Sequence, residues 1–220
     1  MEARRSRYAA YSPVFWRPAA GARELHVAFL AAMVAADGVD AFRTENGLVI
    51  AQRRGNECFV DDFAVAGDER WPVEGRDLLL AAWGRQSAGG ATTARVVTAR
   101  LDEPKVALLL DVGLVVGEEW WVKPLTPPTA GDTSHLPIER PGLTAVKTAA
   151  PPVYDPGGPV MLVREVAGPD QLPALEATAL EHGAVLAIVP AGPGDRALTA
   201  ALAAAAYEVA SQFYVGLPRR

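Results

Sequence analysis

Apolar positions recur at two periods along this chain, and the switches between them outline its elements. Residues 21–37 space Leu25, Phe29, Leu30, Met33 and Val34 three and four apart, which predicts an amphipathic helix closed by Asp37-Gly38. Ahead of it, Val14-Phe15-Trp16 predicts a short strand ended by Pro18. Ala41 to Glu45 and Leu48 to Arg53 predict two strands around Asn46-Gly47, a strong hairpin turn. Cys58 to Val65 reads as a third strand despite Asp61 and Asp62. Then come a helix (Arg76 to Gln86), a strand (Ala94 to Thr98), a helix stopped by Gly113 (Glu103 to Val112) and a closing strand, Val115 to Val122. Three consecutive strands followed by alternating helix and strand predict a mixed sheet with helices packed on it.

Further on, Val160 to Val166, Gln171 to His182, Val185 to Val189, Arg196 to Ala206 and Ser211 to Val215 predict strand, helix, strand, helix and strand. These match the end of the first part at a constant offset of 93 residues. Gly90, Val96, Asp102, Ala107, Leu109, Val116 and Val122 meet Gly183, Val189, Asp195, Ala200, Leu202, Val209 and Val215. Such an ungapped match predicts an internal duplication. Between the halves, nine of the 18 prolines fall from Pro124 to Pro159, which predicts a linker or a long wrapped loop. The expected organisation is a first domain at 1–125, a linker at 126–157 and a partial repeat at 158–220.

Composition narrows the chemistry. Half of the 220 residues are hydrophobic and 21% are charged, so a core is affordable and the chain is not disordered by composition. The net charge of −5 argues against nucleic acid as the main partner. The single cysteine, Cys58, excludes a disulfide framework and is expected as a small core residue. His26, His135 and His182 are far apart, with no metal-ligand spacing. No apolar run is long enough to span a bilayer and no apolar stretch follows the basic N-terminus. A cytoplasmic protein, monomeric or homodimeric, is the expectation.

One stretch suggests chemistry. Phe63-Ala64-Val65 ends a strand, a loop follows, and a helix is expected to open near Gly75. The first amides of such a helix lack partners and carry the positive end of its dipole, a place suited to a diphosphate. Arg70 and Arg76 add charge, and Gly75 lets a ligand approach the backbone.

Val14 to Leu125 resembles the GCN5-related N-acetyltransferase (GNAT) superfamily. There a strand leads to Arg/Gln-x-x-Gly-x-Gly/Ala and a helix that holds the coenzyme A diphosphate. Phe63-Ala64-Val65 matches the strand end, Arg70 the Arg/Gln position and Gly75 the last glycine; Val73 stands where the first glycine belongs. Asp102 to Leu114 is similar to the family's Asn-x-x-Ala-x-x-x-Tyr-x-x-x-Gly-Phe helix, with Asp102 at the Asn and Leu109 at the tyrosine that protonates the departing thiolate.

The resemblance implies an α/β (α+β) fold with a mixed, mostly antiparallel central sheet flanked by helices. It implies acetyl-CoA as co-substrate and a small amine as acceptor, in direct transfer within a ternary complex. Phe63, Ala64, Val65, Arg70, Val73, Gly75, Arg76, Asp77 and Asp102 are then the coenzyme-binding candidates. Asp62 is the expected base. Asp61 is the second candidate, expected on the opposite strand face. A GNAT-fold protein that binds a ligand or partner without transfer is the competing expectation, supported by Val73 and Leu109.

Overall fold

The computed structural model describes residues 8–127 and 129–218. The elements in chain order are α1 (Ala22–Val34), β1 (Val39–Arg43), β2 (Gly47–Arg54), β3 (Glu57–Val65), α2 (Arg76–Ala88), β4 (Thr93–Ala99), α3 (Glu103–Asp111), β5 (Val115–Pro124), β6 (Leu136–Arg140), β7 (Leu143–Thr148), β8 (Val160–Val166), α4 (Leu172–Glu181), β9 (Leu186–Ala191), α5 (Arg196–Ala204) and β10 (Glu208–Gly216). They form two compact units. Of the described residues, the first holds 27–117 and 211–218 and the second holds 8–26 and 118–210.

Each unit carries five strands in the same arrangement. In the first the order is β1-β2-β3-β4-β10, and in the second β6-β7-β8-β9-β5. Both run antiparallel, antiparallel, parallel, antiparallel. The fold is therefore mixed and mostly antiparallel, with α2 and α3 on the first sheet and α4 and α5 on the second. The 93-residue offset holds in the backbone: α3 matches α5 end to end, and both helices start after an aspartate of similar dihedrals, Asp102 and Asp195.

Two expectations change. The stretch 126–157 is not merely a linker, because Leu136–Arg140 and Leu143–Thr148 pair as β6 and β7 and carry the repeat back to Leu136. Pro137 disguised this hairpin. It is tolerated because β6 is an outermost strand and needs no second ladder of donors. Val14–Trp16 lies in a turn, not a strand. There Trp16 packs its ring 5.2 Å from Tyr8, 4.6 Å from Phe15 and 5.2 Å from Tyr154.

The strands that close the sheets are exchanged relative to chain order. β5 follows α3, yet it pairs with β9 from Glu119 to Pro124, while β10 pairs with β4 from Ser211 to Gly216. Because β5 and β10 are repeats of one another, either satisfies the ladder that the other leaves open.

Two equivalent glycines separate backbone strain from packing. Gly90 has φ +103° and open space around it. Gly183 has φ +68°, and a Cβ there would lie 2.2 Å from the Gly131 nitrogen. That backbone is tied down, since Gly131 N–H donates to the Gly183 carbonyl at 2.9 Å. Gly90→Ala should cost about 1–2 kcal/mol, for positive φ alone. Gly183→Ala should cost at least about 2 kcal/mol more, through overlap with fixed backbone. Urea unfolding of both variants measures the difference.

Candidate functional site

The site is built on an irregularity in β3. Along the β2–β3 ladder Val49 faces Phe63 and Ala51 faces Val60, so Asp61 and Asp62 together oppose the single residue Ile50. This is a β-bulge. It inserts one residue, bends its strand and breaks the strict alternation of side chains. Both residues therefore line one cavity, whereas alternation placed Asp61 on the far face. That cavity has a volume of about 330 Å³ and is walled by Phe29, Met33, Ile50, Gln52, Arg54 and Phe59 besides the two acids. Ile50 also borders a neighbouring cavity of about 590 Å³. Its walls are mostly apolar, from Leu30, Ala31 and Val34 on α1, Leu48 on β2 and Ala64 and Val65 at the end of β3. Both volumes fall in the range of small-molecule sites, roughly 300–1,000 Å³.

The bulge also ends a strand pairing. β3 and β4 are paired from Glu57↔Thr93 to Val60↔Val96 and part where the bulge begins. The second unit repeats this geometry: β7–β8 shifts register between Thr144 and Ala145, and β8 leaves β9 after Leu162↔Ile188. In the first unit a buried lysine spans the gap. Lys105, only 1% exposed on α3, donates to the Val97 carbonyl at 2.7 Å and the Phe63 carbonyl at 3.3 Å. Its ammonium also lies 5.3 Å from the centre of the Phe63 ring. The repeat position carries Leu198.

The turn before α2 is not the open cradle expected. Asp68–Arg70 form a 3₁₀ turn and Trp71–Gly75 a wider turn that runs straight into α2. The Arg76 amide is used inside it, donating to the Trp71 and Val73 carbonyls. Gly75 is buried, and a Cβ there would come within 2.7 Å of the Trp71 ring and 3.2 Å of Leu108. The missing Cβ thus makes room for an indole. Trp71 is itself buried, with its ring centre 4.8 Å from that of Phe63.

The charges at this turn are occupied as well. Arg70 stands 3.6 Å from Glu69 and 3.7 Å from Glu74, and Arg76 pairs with Asp111. The Glu69 carboxylate folds over Gly67 at the new start of the helical segment. Val73 is 69% exposed, so it narrows nothing, and Asp77 is exposed. Asp102 is fully buried at the start of α3 and Leu109 is core. The structure therefore brings Asp61, Asp62, Ala64 and Val65 to the cavities. Phe63, Arg70, Val73, Gly75, Arg76, Asp77 and Asp102 do not line either cavity. Sequence reasoning missed Arg54 and Lys105. The signal for the second was a lysine three and four residues before Leu108 and Leu109, on the core face of α3.

No protein-family model and no curated protein matches the sequence. The likeness is in three dimensions. A Thermoplasma acidophilum protein assigned as an acetyltransferase superposes with a TM-score of 0.55 at 12% identity, over 87% of this chain and 82% of that one. A Pyrococcus horikoshii protein similarly assigned gives 0.52 at 9% identity, over 90% and 81%. A GCN5-related N-acetyltransferase from Kribbella flavida gives 0.50 at 13% identity, over 90% of this chain and 64% of that one. The chain thus has the GNAT fold, in two units. No helix among the described residues is long and apolar enough to cross a membrane, and no group of three or more His, Cys, Asp or Glu there could hold a metal.

Two predictions follow from the buried polar groups. Lys105→Leu should destabilise the protein by about 1–3 kcal/mol in denaturant unfolding, because it leaves the Phe63 and Val97 carbonyls buried without this donor. Cys58 is fully buried, and that burial, followed by the charges of Glu57 and Asp40, pushes its thiol up to about 12. An unfolded thiol ionises near 9, so stability present below that pH should fall as pH rises from 9 towards 12. Alkylation at neutral pH should occur only through unfolding, and a native-state rate equal to that of the denatured chain refutes this.

Proposed function

We propose that the protein is a GNAT-fold acyltransferase acting on a small amine, with the acceptor site in the first unit. The bulge at Asp61-Asp62 carries this reading. It sets two acidic residues on the wall of a ligand-sized cavity, three residues before Val65 at the edge of the adjoining one. In that place Asp62 holds the acceptor ammonium and takes its proton, so that a neutral nitrogen becomes the nucleophile. Asp61 stands beside it on the same cavity wall.

The acyl donor expected for this fold is acyl-CoA. The residues at the turn before α2 do not fit its diphosphate: Arg70 and Arg76 face acids, and the amide of Arg76 is spent. Donor affinity is accordingly weak in this reading. A second reading, a protein that binds a ligand in the cavities without transfer, is favoured by the same closed turn and by core-buried Leu109.

Calorimetric titration with acetyl-CoA, followed by thiol release over a panel of amines, separates the two. Saturable binding and turnover are expected. Asp62→Asn should lower kcat about a hundredfold or more, with acetyl-CoA affinity unchanged. Absence of binding at millimolar coenzyme removes the transferase reading and leaves the second. Equal rates for Asp62→Asn and wild type remove Asp62 as base.

A further inference from the structure

The larger cavity has a chemistry of its own. All its walls belong to the first unit, and Leu30, Ala31 and Val34 of α1, Leu48 and Ile50 of β2 and Ala64 of β3 make most of them. Helix α1 explains why the space is apolar and unfilled. Its three polar residues, Arg23, Glu24 and His26, all stand among its first five, and from Val27 to Val34 it is apolar on every side. Such a pattern belongs to a helix packed all round, yet none of those eight residues is fully buried. The cavity is the room this packing leaves open, and Ala31, Ala41, Ala64 and Ala66 keep it wide. The charged residues on its border, Arg43 and Glu45, are exposed and of opposite sign, so they give it no ionic preference. Water gains little against such walls, and an apolar ligand that displaces it gains the transfer free energy of its own surface.

We propose that this cavity binds a hydrocarbon group, alkyl or aryl, and that this group is the apolar part of the acceptor amine. The second clause rests on the acyltransferase reading; the first does not. Ile50 makes the link, because it lines both this cavity and the smaller one that has Asp61 and Asp62 in its wall. An amine with its nitrogen at Asp62 therefore has an adjoining apolar space for its carbon skeleton. Chain length then sets selectivity: each methylene that enters is worth about fourfold in affinity. A short amine such as methylamine gains nothing from these walls. The binding itself requires no charge on the ligand.

The direct test uses uncharged probes and no acyl donor. Calorimetric titration of the full chain with n-butanol, n-hexanol and n-octanol should give affinities that rise about fourfold per added methylene. Ala31→Phe and Ala41→Phe, each at an exposed position on the cavity wall, should fold and should weaken n-octanol at least about tenfold by filling the space. Ala28→Phe, exposed on α1 and outside both cavities, should leave n-octanol binding unchanged. Transfer is the second arm. With acetyl-CoA, n-hexylamine should show a kcat/KM at least about tenfold above that of ethylamine, and Ala31→Phe should erase the advantage.

The proposal is overturned by alcohol affinities that do not depend on chain length, by Ala31→Phe and Ala41→Phe leaving n-octanol binding intact, or by Ala28→Phe weakening it as much as they do. Equal kcat/KM for n-hexylamine and ethylamine overturns the assignment of the group to the acceptor. Alcohol binding without acetyl-CoA binding would sink the transferase reading alone. Transfer to short and long amines alike, with no alcohol bound, would sink this inference alone.

Discussion

One extra residue in β3 shapes the first unit. A regular strand would send Asp61 and Asp62 to opposite faces and keep β3 paired with β4 to its end. The bulge turns both acids to one cavity and bends the strand away from its parallel neighbour. Parting two strands inside a protein leaves carbonyls without donors, a costly state unless another group satisfies them. Lys105 does so, bridging Phe63 and Val97 where the ladder has opened. The gap between β3 and β4, the paired acids and the buried lysine are consequences of one local insertion.

The same bend recurs in the second unit, but its surroundings differ. Ten residues, 66–75, lie between β3 and α2, whereas five, 167–171, lie between β8 and α4. The extra length in the first unit winds into the helical segment that buries Trp71. The two units thus share the arrangement of strands and helices and differ in the length of this connection. The exchange of β5 and β10 fits that sameness, since each closes its unit by pairing antiparallel, β10 with β4 and β5 with β9.

Much of the fold was legible because it depends on local periodicity. The Asn46-Gly47 hairpin, α2, β4 and α3 lie within a residue or two of their predicted limits. Less of the site was legible. Phe63, Gly75 and Arg76 formed a plausible phosphate turn by order alone, yet each is consumed within the protein. Phe63 and Gly75 contact Trp71, and Arg76 pairs with Asp111, 35 positions away. A glycine in a sequence does not say what approaches it. Arg54 went unnoticed because its place on the cavity wall and its stacking on a ring five residues on are both tertiary.

The sequence by itself determined the element types, the duplication and the presence of two adjacent acids in a strand, because these reside in spacing and in side-chain chemistry. Tertiary structure alone decided which closing strand joins which sheet, that both acids border one cavity, and that the glycine beside α2 receives an indole. Those outcomes depend on register and on contacts between distant residues. Neither property is carried by any single segment of the chain.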